Sequence, residues 1–410
     1  MGSFDPSRPT SFTGVSDVSP SIYLDNGATT PTDPRVLAAM LPYFSETYGN
    51  PSSLHAHGED AREAVESARE RIAGTLGVKA DEVVFTGGGT ESNNLAVKGV
   101  AFGIARGRRL VTSAVEHNSV LNACRWLGAR GWDVAEVGVD SEGFVDLDAL
   151  RHALTPETAL VSVMHSNSEV GTLEPVTEVS ELCRERGIPF HTDASQSYGK
   201  VPLRSELFDL ITLSAHKIYG PKGVAALIVR NGLRDGPRTV LDPLLHGGGQ
   251  EQGLRGGTEN VPGIVGFARA AQICQEEMET ESARVSRFRD RVIHNLSSYR
   301  GAYLNGPRDG ARRLPGNVNV GFNGLEGQAT ALLIKLSEQG VSVSTGSACS
   351  SHEGDAPSHV LTAMGRNAVE AKGALRITIG RFNTEEEIDY FLEKAFPGVF
   401  GSLPSILTGG

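Results

Sequence analysis

The chain has 410 residues, with 49 acidic and 38 basic residues and a formal net charge of −11, a length sufficient for two to three domains with large cores. The acidic balance, without a dense Lys/Arg patch, argues against a nucleic-acid partner. No apolar run approaches the roughly 18 residues of a membrane span, and the first residues lack an apolar signal segment, so we predict a cytoplasmic protein without a membrane partner.

Residues from about 60 to 230 predict a large α/β unit. Residues 1–20 are polar and rich in Ser and Pro, which is typical of a disordered arm. From about residue 60 the chain alternates helical patterns with apolar strands, which we place at 83–85, 110–113, 159–165, 188–193, 210–215 and 224–230. Repeated strand–helix–strand units favour a mainly parallel sheet covered by helices on both faces.

A smaller α/β unit is predicted in the C-terminal part. A long helical stretch at about 260–300 leads into alternating strands and helices, which we place at 317–322, 327–339, 341–345, 374–380 and 384–396. We therefore expect a large domain over 21–275 and a small domain over 276–400, which the first residues after the arm could join.

The four cysteines divide into two kinds. Without a CxxC pair they argue against a disulfide framework or a thiolate zinc site, and they suit a reducing compartment. Three of them, Cys124, Cys183 and Cys274, lie in stretches of helical spacing, where a thiol is usually a small buried hydrophobe. Cys349 lies instead among turn formers in STGSACSS (344–351), which favour an exposed loop. Cys349 is therefore the candidate reactive thiol.

Lys217 and Asp193 follow two neighbouring predicted strands. Lys217 lies in SAHKIYGPKG (214–223), and Asp193 ends the strand at 188–193. Ligands of open parallel sheets bind at the carboxyl ends of strands. A lysine that can form a Schiff base, with an acid that keeps a pyridine nitrogen protonated, is the pair that pyridoxal phosphate requires. Taken singly, each residue is more often a surface lysine or a helix-capping acid.

A third element supports the pair. In FTGGGTESNN (85–94) a strand leads through glycines into a helix that begins near Thr90. Backbone N–H groups of such a turn form an anion cup, although the same turn also serves ordinary strand–helix connections. The run lacks the Walker ending and the GxGxxG of a dinucleotide site, so it suits a single phosphate group.

Eight segments in order, from about residue 22 to 397, resemble the cysteine desulfurases. These are class V aminotransferase-like members of the fold-type I pyridoxal phosphate enzymes, and the matching segments are LDNGATTP (24–31), FTGGGTESNN, VEHNSV (115–120), HTDASQSYGK (191–200), SAHKIYGPKG, RGGTENVPG (255–263), STGSACSS and LRITIGRF (375–382). The resemblance implies a large domain with a mainly parallel seven-stranded type of sheet, a smaller C-terminal domain, pyridoxal 5′-phosphate as cofactor and a homodimer.

The resemblance also implies residue roles. Lys217 would hold the cofactor as a Schiff base and move a proton, Asp193 would pair with the ring nitrogen, and His117 would stack on the ring. The other cofactor contacts would come from Asn167 and Gln196 near the phenolic oxygen and from Gly89, Thr90, Ser214 and His216 at the phosphate, with Thr258 supplied by the partner subunit. Arg376 would clamp the substrate carboxylate beside Asn167. Cys349 would be the nucleophile, and His117 is our leading candidate for deprotonating it.

Some of these residues also have explanations that involve no catalytic or binding role. His117 alone could be a core histidine, and Arg376 could be only a surface charge on an alternating strand. His55 and His57 form an H-x-H pair, but no carboxylate or thiolate cluster accompanies them, so we predict no metal.

The predicted function is a cysteine desulfurase that converts L-cysteine to L-alanine. The sulfur would pass through a persulfide on Cys349 to an acceptor protein, for iron–sulfur cluster assembly or another sulfur-transfer pathway. The alternative is a selenocysteine lyase, which SSHEGDAPSHVL (350–361) also resembles. An aminotransferase or lyase that does not use Cys349, and a non-catalytic scaffold, remain open as well. The presence of Lys217, Asp193, Arg376 and Cys349 together argues against the scaffold.

Overall fold

A computed structural model describes residues 21–104, 107–230, 241–326, 328–345 and 356–402 of the chain. The predicted arm at 1–20 and Cys349 lie outside these residues. The strands are β1 Ile22–Tyr23, β2 Val83–Thr86, β3 Arg109–Ser113, β4 Asp133–Val137, β5 Thr158–Ser162, β6 Phe190–Asp193, β7 Leu210–Ser214, β8 Ala225–Val229, β9 Ala302–Leu304, β10 Asn317–Phe322, β11 Val341–Ser342, β12 Ser344–Thr345 and β13 Leu375–Thr378.

The helices alternate with the strands in the first half of the chain and flank them in the second. They are α1 Pro34–Met40, α2 Pro42–Ser45, α3 Ala56–Leu76, α4 Gly89–Asn94, α5 Val100–Gly103, α6 Asn118–Gly128, α7 Leu147–Ala153, α8 Val176–Glu185, α9 Val261–Leu296, α10 Ala329–Glu338, α11 His359–Ala363, α12 Ala368–Lys372, α13 Glu385–Tyr390 and α14 Phe396–Gly401. A wider helical turn at Leu95–Gly99 makes α4 and α5 one continuous helix.

The largest sheet has seven strands in the order β2-β8-β7-β6-β5-β3-β4. Strands β4, β3, β5, β6 and β7 pair in parallel, and β8 runs antiparallel to both β7 and β2. The prediction of a mainly parallel seven-stranded sheet is confirmed, and so are its six predicted strands. Strand β4 was missed, because this edge strand is mostly half-buried or exposed and lacks an apolar run.

Both faces of the large sheet are covered. Alternate residues of β2 belong to different cores: Val83 and Phe85 belong to the core that α3, α8 and α9 line, whereas Val84 belongs to the core lined by the helix over 89–103 and by α6. The strands β5 to β8 are buried along their whole length. This explains their near-continuous apolar sequences, which are typical of a sheet enclosed by helices.

A second core lies around the smaller sheets. Strands β12, β13, β10 and β9 form an antiparallel sheet, and β1 pairs in parallel with β11. Helix α9 is 36 residues long, and residues at its start line the first core while residues near its end line the second. The segment after the arm thus joins the smaller unit through β1. No helix among the described residues is long and apolar enough to cross a membrane.

Candidate active site

Lys217 and Asp193 lie at one edge of the large sheet. Strand β6 ends at Asp193, and Lys217 lies in the single turn after β7, which pairs in parallel with β6. The Nζ of Lys217 donates hydrogen bonds of 2.7 Å to the carbonyl oxygens of Gly27 and Ala28. Gln196 Nε2 donates to the same Gly27 oxygen at 2.9 Å. The fold therefore brings three predicted site elements, 24–31, 191–200 and 214–223, to one place.

A hydrogen-bond network joins Asp193 to His117. The Asp193 carboxylate is buried, and its Oδ2 accepts a bond of 2.7 Å from Asn93 Nδ2. The same Asn93 nitrogen donates to Ser119 Oγ at 2.8 Å, and Ser119 Oγ lies 2.7 Å from Nδ1 of His117. His117 also caps α6, since its Nδ1 accepts from the backbone N–H of Ser119. Asp193 Oδ1 likewise caps a turn by accepting from the Ser195 N–H.

The glycine turn opens into a cavity of about 650 Å³ at the same edge of the sheet. Its lining includes three of the predicted phosphate residues, Gly89, Thr90 and His216. The fourth, Ser214, is buried beside Gly89, where an added Cβ would meet its side chain at 3.7 Å. Gly87 is exposed and Gly88 and Gly89 are half-buried at the cavity, so the backbone of the turn is accessible to a ligand.

His216 is held as a neutral ring. Its Nδ1 lies 3.0 Å from Thr29 Oγ1. Burial, together with the charges of Lys217 and Lys222, lowers the pKa of His216 to about 4. At neutral pH the ring therefore interacts through hydrogen bonds, and the positive charge at the cavity comes from lysines. Lys222 and Thr29 also line the cavity, and neither was predicted, although both fall within the quoted motifs.

Asn167 is buried in a turn between β5 and α8. Its Oδ1 accepts from the backbone N–H groups of Glu169 and Val170 at 2.8 and 3.0 Å, and its Nδ2 donates to the Val115 carbonyl at 3.0 Å. These bonds tie the turn to the segment before His117. The predicted contact of Asn167 with the cofactor and substrate stays a prediction.

Arg376 is buried on β13 and is not a surface charge. Its Nη2 lies 2.9 Å from Oδ1 of Asp25, and its Nη1 donates a long bond of 3.4 Å to the Ser168 carbonyl. Its Nε has no hydrogen-bond partner among the described residues. A buried guanidinium with donors to spare suits a carboxylate ligand.

Thr258 does not line the cavity of its own chain. It is exposed. Its neighbour Arg255, three residues earlier, does reach the glycine turn by pairing with Glu91 at 3.0 Å. The predicted supply of Thr258 to a partner subunit stays a prediction.

The three other cysteines are buried, which confirms their prediction as core residues. Burial raises the pKa of both Cys124 and Cys183 to about 12, so these thiols stay protonated. In the H-x-H pair, the ring of His57 stacks on Tyr48 at 5.7 Å. The described part of the chain has no group of three or more His, Cys, Asp or Glu side chains that could hold a metal.

Comparison with known proteins places the chain in a family. The model of the aminotransferase class-V family matches residues 22–391. The cysteine desulfurase IscS of Dictyoglomus turgidum is 46% identical over 376 residues, which cover 91% of this chain and 93% of the relative. A solved structure of a NifS-like protein has a TM-score of 0.84 and 40% identity, covering 93% of this chain and all of that one. A structure titled SspA in complex with cysteine has a TM-score of 0.75 and 37% identity, covering 88% of this chain and all of the other.

The chain belongs to the aminotransferase class-V family. Within that family it groups with proteins named cysteine desulfurases, as the eight sequence segments predicted.

Proposed function

We propose that this protein is a pyridoxal phosphate-dependent cysteine desulfurase, which converts L-cysteine to L-alanine and carries the sulfur as a persulfide on Cys349. One observation carries the proposal beyond family membership. The lysine, the buried acid and the glycine-turn cavity lie at the same edge of the large sheet, in the arrangement that this cofactor needs.

The residues present fit the cofactor at three points. The cavity beside Gly89 offers exposed backbone and the Lys222 side chain for a phosphate. The Asp193 carboxylate, buried and already held by Asn93, suits a protonated ring nitrogen. The Lys217 amine lies after the neighbouring strand, where a covalent bond to the cofactor would replace its two carbonyl contacts.

The protein's own groups then handle the substrate. When bound, the cofactor supplies an electron sink that makes the α-proton of an amino acid acidic. The amine of Lys217 takes that proton and returns it. Arg376 binds the substrate carboxylate through its free donors and fixes the orientation of the β-carbon, and His117 covers one side of the site.

Cys349 lies outside the described residues, and its role is inferred from the sequence and the reaction. Its thiolate attacks the sulfur of the substrate and forms a sulfur–sulfur bond. The bond between that sulfur and the β-carbon breaks, and its electron pair stays on the carbon, which takes up a proton to give alanine. A free thiol has a pKa of about 8.5, so a base is required, and we assign this step to His117.

The persulfide then passes to an acceptor protein in iron–sulfur cluster assembly or another sulfur-transfer pathway. A cytoplasmic location would keep the four thiols reduced.

We also propose a homodimer. Thr258 is exposed in its own chain, although the resemblance implies that it contacts the cofactor. In a homodimer it would reach the cavity of the other subunit. Large apolar side chains are exposed between α1 and the start of α3, namely Leu37, Leu41, Phe44, Tyr48 and Leu54. Several exposed large apolar side chains in one segment favour a surface that a partner covers. Sedimentation of the purified protein should show a dimer.

The proposed activity is tested by measuring its products. Purified protein with pyridoxal phosphate and L-cysteine should release alanine, with an equal amount of sulfide when a thiol reductant is present. Cofactor-loaded protein that forms no alanine would contradict the proposal. Turnover of L-selenocysteine in the same assay decides the alternative, since a selenocysteine lyase would convert it and leave L-cysteine almost untouched.

A further inference from the structure

One carboxylate faces the proposed phosphate cavity. Of the described residues that line it, Glu91 alone is acidic. Its Oε2 accepts a hydrogen bond of 2.8 Å from the backbone N–H of Gly87, so it occupies one donor of the glycine turn. A phosphate ester carries about two negative charges at neutral pH, and a neighbouring carboxylate repels it.

Arg255 forms an ion pair with Glu91. Its Nε lies 3.0 Å from Oε1 of Glu91, and both side chains are only 23% exposed. A Cβ added to Gly87 would lie 2.8 Å from Glu91 Oε2 and 3.7 Å from Arg255 Nη2. The guanidinium therefore lies over the same turn as the carboxylate that it neutralises.

A second ion pair holds the segment that carries Arg255. Glu251 has a left-handed φ of 49° and a buried side chain, which pairs with Arg69 at 2.7 Å. The same carboxylate accepts from the backbone N–H of Phe85 at 2.8 Å, on the edge strand β2 that leads into the glycine turn. The segment that carries Arg255 therefore contacts the chain before the glycine turn, at Phe85, and after it, at Glu91. These two contacts hold the segment against the glycine turn.

We propose that Arg255 is a specificity-determining residue that selects the phosphorylated cofactor by neutralising Glu91. With the ion pair intact, the charges of Glu91 and Arg255 cancel, while Glu91 still accepts the hydrogen bond from the Gly87 N–H. Lys222 then supplies the attraction for the phosphate. Without Arg255, the carboxylate faces the phosphate directly. The inference rests on the proposed cofactor and deepens it.

The test compares pyridoxal 5′-phosphate with pyridoxal, which lacks the phosphate. The full chain is freed of cofactor and titrated with each compound, and the dissociation constant is read from the visible absorbance. We expect Arg255→Met to weaken the binding of pyridoxal 5′-phosphate about two- to fivefold, the range for a partly exposed charge pair. Pyridoxal binding should stay unchanged.

Two further variants separate neutralisation from direct contact. Glu91→Gln keeps an oxygen for the Gly87 N–H but removes the charge, so it should bind pyridoxal 5′-phosphate at least as tightly as wild type. Adding Glu91→Gln to Arg255→Met should restore most of the lost affinity. Arg125→Met, which breaks a similar ion pair with Glu136 on the surface, is the matched control and should change neither constant.

Three results would overturn the inference: unchanged affinity in Arg255→Met, an equal loss for pyridoxal, or a double variant as weak as Arg255→Met alone. Each presumes that wild type binds pyridoxal 5′-phosphate. If wild type binds neither compound, the proposed function itself fails, so the two failures are distinguishable.

Discussion

The side-chain nitrogen of Asn93 donates a hydrogen bond of 2.7 Å to the carboxylate of Asp193, and both groups are buried. The same nitrogen reaches Ser119, which in turn contacts His117. One amide on α4 therefore positions the two groups that we assign to the nitrogen and to the face of the cofactor ring. A buried carboxylate that loses such a donor keeps its desolvation cost without compensation.

Asn93→Ala should therefore lower the free energy of unfolding by about 1–3 kcal/mol, the cost of leaving a buried polar group unsatisfied. Asn93→Asp should cost more, because it places a second carboxylate beside Asp193. Urea denaturation followed by circular dichroism measures both. Ser119→Ala is the matched control, since it keeps the bond to Asp193 and should cost less. An Asn93→Ala variant as stable as wild type would refute the role of the amide.

Patterns of apolar residues predicted most of the fold because most strands are buried on both faces. Strand β9 and the division of 341–345 into β11 and β12 were not predicted. Strand β9 is only three residues long and half-buried, so it leaves no apolar run in the sequence. The division at 341–345 arises because each short strand pairs with a different part of the chain, β11 with β1 and β12 with β13.

The motifs predicted which segments the fold brings together at the candidate site, but they could not give its internal contacts. Asn93 lies in a quoted motif, yet its partner Asp193 is 100 residues away. Arg376 was predicted to bind a carboxylate, but its pairing with Asp25 spans 351 residues. Such pairs depend on how strands and loops pack, which local spacing does not encode.

Glu116 makes stability depend on pH. Its Oε1 accepts bonds of 2.7 Å from Ser113 and from the Met164 N–H, and its Oε2 is buried without a partner among the described residues. Burial raises the pKa of Glu116 to about 8 from an ordinary value of 4.5. Between these values the folded state holds a proton that the unfolded state has released, so this group's contribution to stability falls as the pH rises.

Glu116→Gln removes that titration. Relative to wild type, the variant should gain up to about 1.4 kcal/mol in unfolding free energy for each pH unit between pH 5.5 and 7.5. Denaturant unfolding at three pH values measures the gain. Glu169 is also buried with a raised pKa, and its contribution is the same in both proteins and cancels. The charge of Glu116 helps to raise the pKa of the buried Glu174, so the variant also shifts the Glu174 titration toward its ordinary range. A difference that stays constant with pH would contradict the assignment.

Lys217→Ala should abolish both the visible absorbance of bound cofactor and all turnover, because it removes the amine that would form the covalent bond. Lys200→Met is the matched control. Lys200 is a second lysine in this region, and burial together with the charge of Lys217 lowers its pKa to about 8. The Lys200→Met variant should keep the visible absorbance of the bound cofactor. Absorbance that persists in Lys217→Ala and becomes covalently fixed by borohydride would place the attachment elsewhere.

Arg376→Ala should raise the KM for L-cysteine about a hundredfold, since about 3 kcal/mol is the lower range for removing one partner of a buried charge pair. Arg376→Lys should recover only part of this, because an ammonium cannot bind a carboxylate bidentately. Steady-state kinetics measure the change. Arg366→Ala, which removes another partly buried arginine of the small unit, should leave KM unchanged. Equal effects of Arg366→Ala and Arg376→Ala would point to a general loss of packing.

Cys349→Ser separates cofactor chemistry from sulfur transfer. The variant should still take up pyridoxal phosphate, and its visible spectrum should still change when L-cysteine is added, because those steps need Lys217, Asp193 and Arg376 but no thiol. It should then release no alanine. The serine hydroxyl stays protonated at neutral pH and is a poor nucleophile toward sulfur.

Mass spectrometry of wild type treated with L-cysteine should find one extra sulfur atom on the peptide that contains Cys349, and none in Cys349→Ser. Cys274→Ala is the matched control: its thiol is buried and lies 3.5 Å from the Ile218 carbonyl. That variant should lose stability through lost packing while it still forms alanine and the persulfide. Alanine production at the wild-type rate by Cys349→Ser would overturn the carrier role of Cys349, and it would favour a lyase that releases sulfur without a protein thiol.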